Sequence, residues 1–213
     1  MKVVLTGFEP FEGESVNPSL EAVNQLDETI AGAQIMKAQL PTVFGKAIER
    51  LQATINQEQP DVVICIGQAK ESVDLRVERV AINLNDARIP DNEGQQPFDE
   101  PIFADGPNAY FTNLPAKAMV AEIRKQKIPA SLSYSAGTFV CNHIMYGLLY
   151  LIDKQYPNMR GGFIHVPYIP EQVLEKPKTP SMALSLIIQG LHAAVTAAVT
   201  YYEDIKTIEG TLS

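Results

Sequence analysis

"DVVICIGQ", residues 61–68, is an apolar run of strand length headed by two valines and closed by a glycine. It lacks the alternation of a strand with one wet face, so it reads as a strand buried continuously, the habit of sheets covered by helices on both sides. Outward from it, β-branched runs alternate with helical patterns. "KVVLTGF", "AQIMKAQLP", "PASLSYS" and "GGFIHVPYI" read as further strands. "NPSLEAVNQL" reads as a helix with Asn17 as N-cap and Pro18 at the first helical position. "GKAIERLQATINQ", "LPAKAMVAEIRKQ", a segment starting at about Cys141, and a long closing "SMALSLIIQGLHAAVTAAVTYYEDI" read as helices. The alternation predicts an α/β fold: a single domain over residues 1–213, with a mostly parallel twisted sheet flanked by helices.

A chain of 213 residues can bury a full core. With 46% hydrophobic and 20% charged residues, neither a disordered nor a fibrous class is indicated. The formal charge is −8 and lysines and arginines are interspersed with acids, so no basic stripe is available for a nucleic acid. "KVVLTGF" after Met1 lacks the apolar core and cleavage site of a secretory signal, and no apolar run reaches membrane-spanning length; neither a signal nor a membrane partner is expected. Two cysteines without flanking Cys or His form no metal or disulfide framework, which suits a reducing cytoplasm and predicts no metal or cofactor.

Two irregular features stand out. Apolar positions are odd at Val73, Leu75 and Val77 but even at Val80, Ile82 and Leu84, so the period slips at Glu78-Arg79. Either a bulge that re-aims side chains or a plain turn between two strands accounts for it. "IPDNEGQQPFDEPIFADGPNAYF" carries four prolines, five acidic residues and no basic one, and reads as a long irregular loop of the kind used as lids or interface arms.

The second cysteine lies in "SAGTFVCNHIMYGLLYLI", residues 135–152. Ile144, Met145, Leu148, Leu149 and Ile152 define one apolar helix face, and Cys141 precedes them by three and four, on the same face. It also falls in the first turn, where free N–H groups and the helix dipole favour a thiolate. Such a cysteine is either a small buried hydrophobe or a nucleophile, and a nucleophile needs a base. Of three histidines, His143 is about 200° around the helix from Cys141 and is expected at the surface. His192, among apolar neighbours of the closing helix, is expected to be structural. His165 ends a strand that follows the Cys141 helix, at the rim where open α/β sheets bind ligands. Glu78, at the period slip, is a candidate to orient its imidazole. Phe8 and Phe11, bracketing Pro10 after the first strand, either staple the first helix or wall an apolar pocket.

Together "TGFEPFEGESVNPS", "LPTVFGKA", "VERVAINLNDARIPDNEG", "SAGTFVCNHIMYGLLY" and "GFIHVPYIPEQ" resemble the type I pyroglutamyl peptidases, a family of cytosolic cysteine peptidases, over nearly the whole chain. The resemblance implies a Glu, Cys, His triad in that chain order, which lands on Glu78, Cys141 and His165. It implies a pyroglutamyl pocket of Phe8, Phe11 and Phe139, with Asn17 and Gln68 near the polar edge of the lactam and Arg88 as a further site residue. It also implies a phosphorylase/hydrolase-like fold, a homotetramer, and peptides with an N-terminal pyroglutamate as substrates, cleaved through a thioester. "GQAKES" departs from the family, whose members more often continue from "GQA" with glycines. Two other readings need features to match. A nucleoside phosphorylase-like transferase needs a phosphate cradle, where "TGFEPFEG" offers acids. A non-catalytic binding module would be favoured by a missing triad member.

Overall fold

The computed structural model describes residues 1–210. Its elements, in chain order, are β1 (Lys2–Phe8), α1 (Pro18–Gln25), β2 (Thr29–Ile30), β3 (Ala33–Leu40), α2 (Lys46–Glu58), β4 (Val62–Gln68), β5 (Leu75–Glu78), β6 (Val80–Ile82), β7 (Ala109–Phe111), α3 (Ala116–Lys125), β8 (Ala130–Ser133), α4 (Val140–Lys154), β9 (Arg160–Val166) and α5 (Leu184–Thr200). Seven strands form one sheet in the order β2-β3-β1-β4-β9-β5-β8. Neighbours from β3 to β9 run parallel, β5 runs antiparallel to β9, and β8 is parallel to β5. The result is the mainly parallel α/β sheet that the sequence predicts.

Every residue of β4 is buried, because both of its faces are covered. Val62, Ile64 and Ile66 pack with α1, α3 and α5, while Val63 and Cys65 pack with α2 and α4. Each aliphatic side chain buried this fully contributes about 1.5–3 kcal/mol. Helix α1 starts where Asn17 predicts: its Oδ1 accepts from the Ser19 N–H at 3.1 Å and the Ser19 hydroxyl at 2.8 Å, and Pro18 follows at the first helical position. Helix α5 stops at Thr200, short of the run read as helical to Ile205. Among the described residues no helix is long and apolar enough to cross a membrane.

The period slip is neither a bulge nor a plain turn. At Arg79 the chain leaves the main sheet, and β6 pairs instead with β7 in a separate antiparallel two-stranded arm, Val80 opposite Phe111. Between these two strands the acidic loop is tied to α4: the Tyr146 hydroxyl donates to the Pro107 carbonyl at 2.6 Å and the Tyr150 hydroxyl to Asp105. Gly106 is needed there, since a Cβ would stand 2.2 Å from the Tyr146 hydroxyl.

His143 is not at the surface. It is only 5% exposed, because the far side of α4 is covered by the start of α2 and by the segment after β6. The Gly45 N–H donates to its Nε2 at 2.9 Å, which fixes the Nδ1–H tautomer, and Nδ1 donates to Asn85 Oδ1 at 3.0 Å. Burial lowers its pKa from 6.5 to about 4. The folded state therefore refuses a proton that the unfolded chain accepts, so this contribution is fully present above pH 6.5 and is lost as pH falls toward 4. The total is about 3 kcal/mol. Urea unfolding of wild type and His143→Gln at pH 7 and pH 4.5 measures it. Wild type should lose more stability than the variant over that interval, and equal losses would show that His143 is not the group responsible. His192, expected to be structural, is exposed on α5, with Nε2 4.0 Å from Asp27 Oδ2.

Candidate active site

Strand pairing brings the candidate groups together. His165 near the end of β9 lies beside Gly67 of β4 on one flank and opposite Arg76 of β5 on the other. Glu78 is two residues beyond Arg76, so it occupies the diagonal position on the face of the sheet that His165 shares, within reach of a long side chain. Glu78 Oε1 accepts from His165 Nδ1 at 2.7 Å, with both residues buried. A carboxylate on Nδ1 leaves Nε2 as the ring nitrogen free to exchange a proton with a nucleophile. Phe163 packs beside the imidazole, centroids 4.7 Å apart.

Cys141 is the second residue of α4, whose N-cap is Phe139. Its thiol is half-buried and lies above the sheet at Gly67, where a Cβ would come 2.9 Å from Sγ and 2.6 Å from Phe163 Cζ. The absence of a side chain at Gly67 is what lets the start of α4 descend beside His165. Burial by itself would lower the imidazole's pKa, but the Cys141 thiolate and then Glu78 outweigh it and raise it to about 10. The imidazole beside the Cys141 sulfur is thus held in its charged form at neutral pH. Cys65 is different: burial pushes its thiol up to about 12, and the Cys141 charge adds to that. Gly67→Ala should lower kcat by about 10²-fold, since displacing a reacting group by about 1 Å has that effect and the Cys141 thiol lies against Gly67. Steady-state kinetics tests this, and near-normal turnover would mean that α4 has room to retreat.

A cleft of about 250 Å³ opens in front of Cys141 and His165. Of the six pocket residues implied by the resemblance, Phe11, Gln68, Arg88 and Phe139 line it. Phe11 and Phe139 face each other at 6.2 Å between centroids. Phe8 and Asn17 do not line it. Phe8 is 3% exposed and belongs to the core cluster beneath α2 and α4, the side to which the end of β1 turns it. Asn17 is spent on capping α1 and on donating to the Glu9 carbonyl at 3.1 Å. Gln68 is held by Gln172, whose Nε2 donates to Gln68 Oε1 at 2.9 Å; Gln68 Nε2 is buried with no partner among the described residues. Lys70 and Glu12 form an ion pair on the rim.

Sequence reasoning missed the residues that brace this cleft. Phe44 sits edge-on to Phe139 and to His143, each at 5.3 Å, and its N–H donates to Asp91 at 2.9 Å. Their only sequence signal was membership of the quoted blocks "LPTVFGKA" and "NDARIPDNEG".

A thiol at a helix start, an imidazole charged beside it and a buried carboxylate on that imidazole meet the requirements of a cysteine hydrolase, and that is the class this fold and cleft define. The chain belongs to the pyroglutamyl peptidase family, whose model matches residues 1–201. It is 58% identical over 210 residues to the pyrrolidone-carboxylate peptidase of Clostridium botulinum, covering 99% of both chains. It is 60% identical over 204 residues to that of Thermosipho africanus, covering 96% of this chain and 100% of the relative. The crystal structure of Bacillus amyloliquefaciens pyroglutamyl peptidase I superposes with a TM-score of 0.93 at 52% identity, over 96% of this chain and 99% of that one.

Proposed function

We propose that residues 1–213 act as one peptidase domain that removes N-terminal pyroglutamyl residues from peptides through a thioester, with Cys141 as nucleophile, His165 as proton carrier and Glu78 as the group orienting His165. Family membership and relatives near 58% identity show the activity itself: removal of N-terminal pyroglutamyl residues by a cysteine peptidase. The observation that carries the residue roles is the buried Glu78–His165 contact at 2.7 Å, on an imidazole charged by Cys141.

In this reading the Cys141 thiolate attacks the pyroglutamyl carbonyl. His165, already protonated, gives its proton to the departing amine and then takes one from the water that opens the thioester. The Cys141 backbone N–H, free at the start of α4, donates to the oxyanion, with Arg88 on the rim beside it. Pyroglutamate has its amine closed into a neutral lactam. Phe11 and Phe139 bury the ring methylenes at about 0.8 kcal/mol each, and Gln68 Nε2, otherwise a buried donor without a partner, reads the lactam carbonyl.

A glutamine or proline N-terminus must bring a charged ammonium between the rings of Phe11 and Phe139, where burying an ion is costly, so both are rejected. Parallel assays of fluorogenic pyroglutamyl and prolyl amides test this, with turnover expected only for the first. No turnover of either by folded, reduced protein would leave a binding module as the better account. A homotetramer, implied by the family resemblance, is supported by the exposed Ile82, Phe98 and Phe111 on and near the β6–β7 arm. Two free cysteines accord with the cytoplasm.

A further inference from the structure

The catalytic reading above, on which this inference rests, places the pyroglutamyl ring on the β4 side of Cys141, with Phe11, Gln68 and Phe139. The leaving nitrogen must then face His165 to receive its proton, and the peptide attached to it runs away from the ring. That direction crosses β9 toward β5 and β8.

On that side the sheet is open. Leu75, Val77, Ala130 and Leu132 point to the opposite face and join the core under α3 and α5. Arg76, Ser131 and Ser133 point to the catalytic face and are only half-buried, because α4 packs over β4, β9 and the β6–β7 arm. A groove of about 550 Å³ lies there, lined by Asp74, Arg76, Ser133, Tyr134 and Ser135 among others. Its wall ends in the chain at Ser135, one residue before Ala136, where the wall of the catalytic cleft begins.

Arg76 stands directly opposite His165 in the β5–β9 pair, and opposite residues of an antiparallel pair share a face. Its Nε makes one long contact, 3.4 Å to Asp74 Oδ1, and its two terminal nitrogens make no hydrogen bond among the described residues. The Ser72 hydroxyl donates to the Asp74 backbone carbonyl at 2.6 Å and lies 3.4 Å from the Asp74 carboxylate.

We propose that the open face of β5 and β8 beside His165 binds the leaving peptide, and that Arg76 is a specificity-determining residue favouring a carboxylate on its first residue. That carboxylate is an Asp or Glu side chain, or the chain terminus of a dipeptide. Crossing two strand spacings of about 4.8 Å takes about three extended residues at 3.4 Å each, so the groove holds a leaving segment of about three residues.

The test is competition within one sample between pyroglutamyl-Glu-Ala-Ala-amide and pyroglutamyl-Gln-Ala-Ala-amide, read as the ratio of kcat/KM. The ratio does not depend on how much of a variant is folded. A general effect of Arg76 on His165 moves both substrates alike and leaves the ratio unaffected. Wild type should favour the Glu peptide about fivefold, Arg76→Gln should bring the ratio near one, and Arg76→Glu should invert it. In pyroglutamyl peptides lengthened one residue at a time, kcat/KM should rise to about three leaving residues and then level. A wild-type ratio of one with no dependence on length would overturn the groove while leaving the catalytic reading intact. Turnover that survives alkylation of Cys141 would overturn that reading, and this inference with it.

Discussion

Cys141→Ala is expected to lower turnover of a pyroglutamyl amide by about 10⁴-fold or more while the protein stays folded. No other thiol can substitute. Cys65 is fully buried, and its pKa of about 12 keeps it protonated at neutral pH. Cys141 is only half-buried, so its sulfur adds little to the core. The loss therefore reports on chemistry rather than folding, and circular dichroism on the same sample checks this. A second readout follows from the electrostatics. The Cys141 thiolate is the main influence raising the His165 pKa, so in Cys141→Ala the imidazole should titrate well below its wild-type value of about 10. Proton NMR of the ring would follow it. Activity within tenfold of wild type would remove Cys141 from the role of nucleophile.

Glu78→Gln should lower kcat by about 10⁴-fold, the scale seen when a buried acid that orients a catalytic imidazole is neutralised. Glu78 Oε1 accepts from Nδ1 at 2.7 Å. A glutamine amide in the same space can turn its NH₂ toward the ring, and this favours the tautomer with the proton on Nε2, where the thiol proton must go. The pH profile separates this role from a structural one. Glu78 helps raise the His165 pKa, so losing its charge lowers that pKa, and the imidazolium that protonates the leaving amine disappears at lower pH. The alkaline limb of kcat/KM should therefore move to lower pH in Glu78→Gln. A variant with full turnover and an unmoved limb would show that Glu78 only fills space.

Much of this site is written locally. Asn17-Pro18 marks a helix start because a side-chain acceptor and a ring with fixed φ act within two residues. Cys141 is identifiable as a helix-start thiol because its neighbours at three and four positions define the buried face of α4. His165 emerges as a candidate partner because β9 follows α4 in the chain and ends at the rim. The pocket residues were legible only through the resemblance, and two of those six, Phe8 and Asn17, lie outside the cleft. Phe11 and Phe8 look alike in sequence, three apart around Pro10, and only the turn after β1 sends one to the cleft and the other to the core.

By itself, then, the sequence determined most of the elements, their α/β class and which thiol, imidazole and carboxylate were the candidates, because period, capping and residue type act over a few neighbours. The tertiary structure decided what those groups face. Glu78 meets His165, 87 positions away, because β5 lies next to β9 and runs against it. His143 is neutral and buried because Gly45 and Asn85, 98 and 58 positions from it, close over the outer side of α4. Strand order and direction, and the covering of one element by another, are settled by packing the whole chain into one core, and no window of sequence contains them.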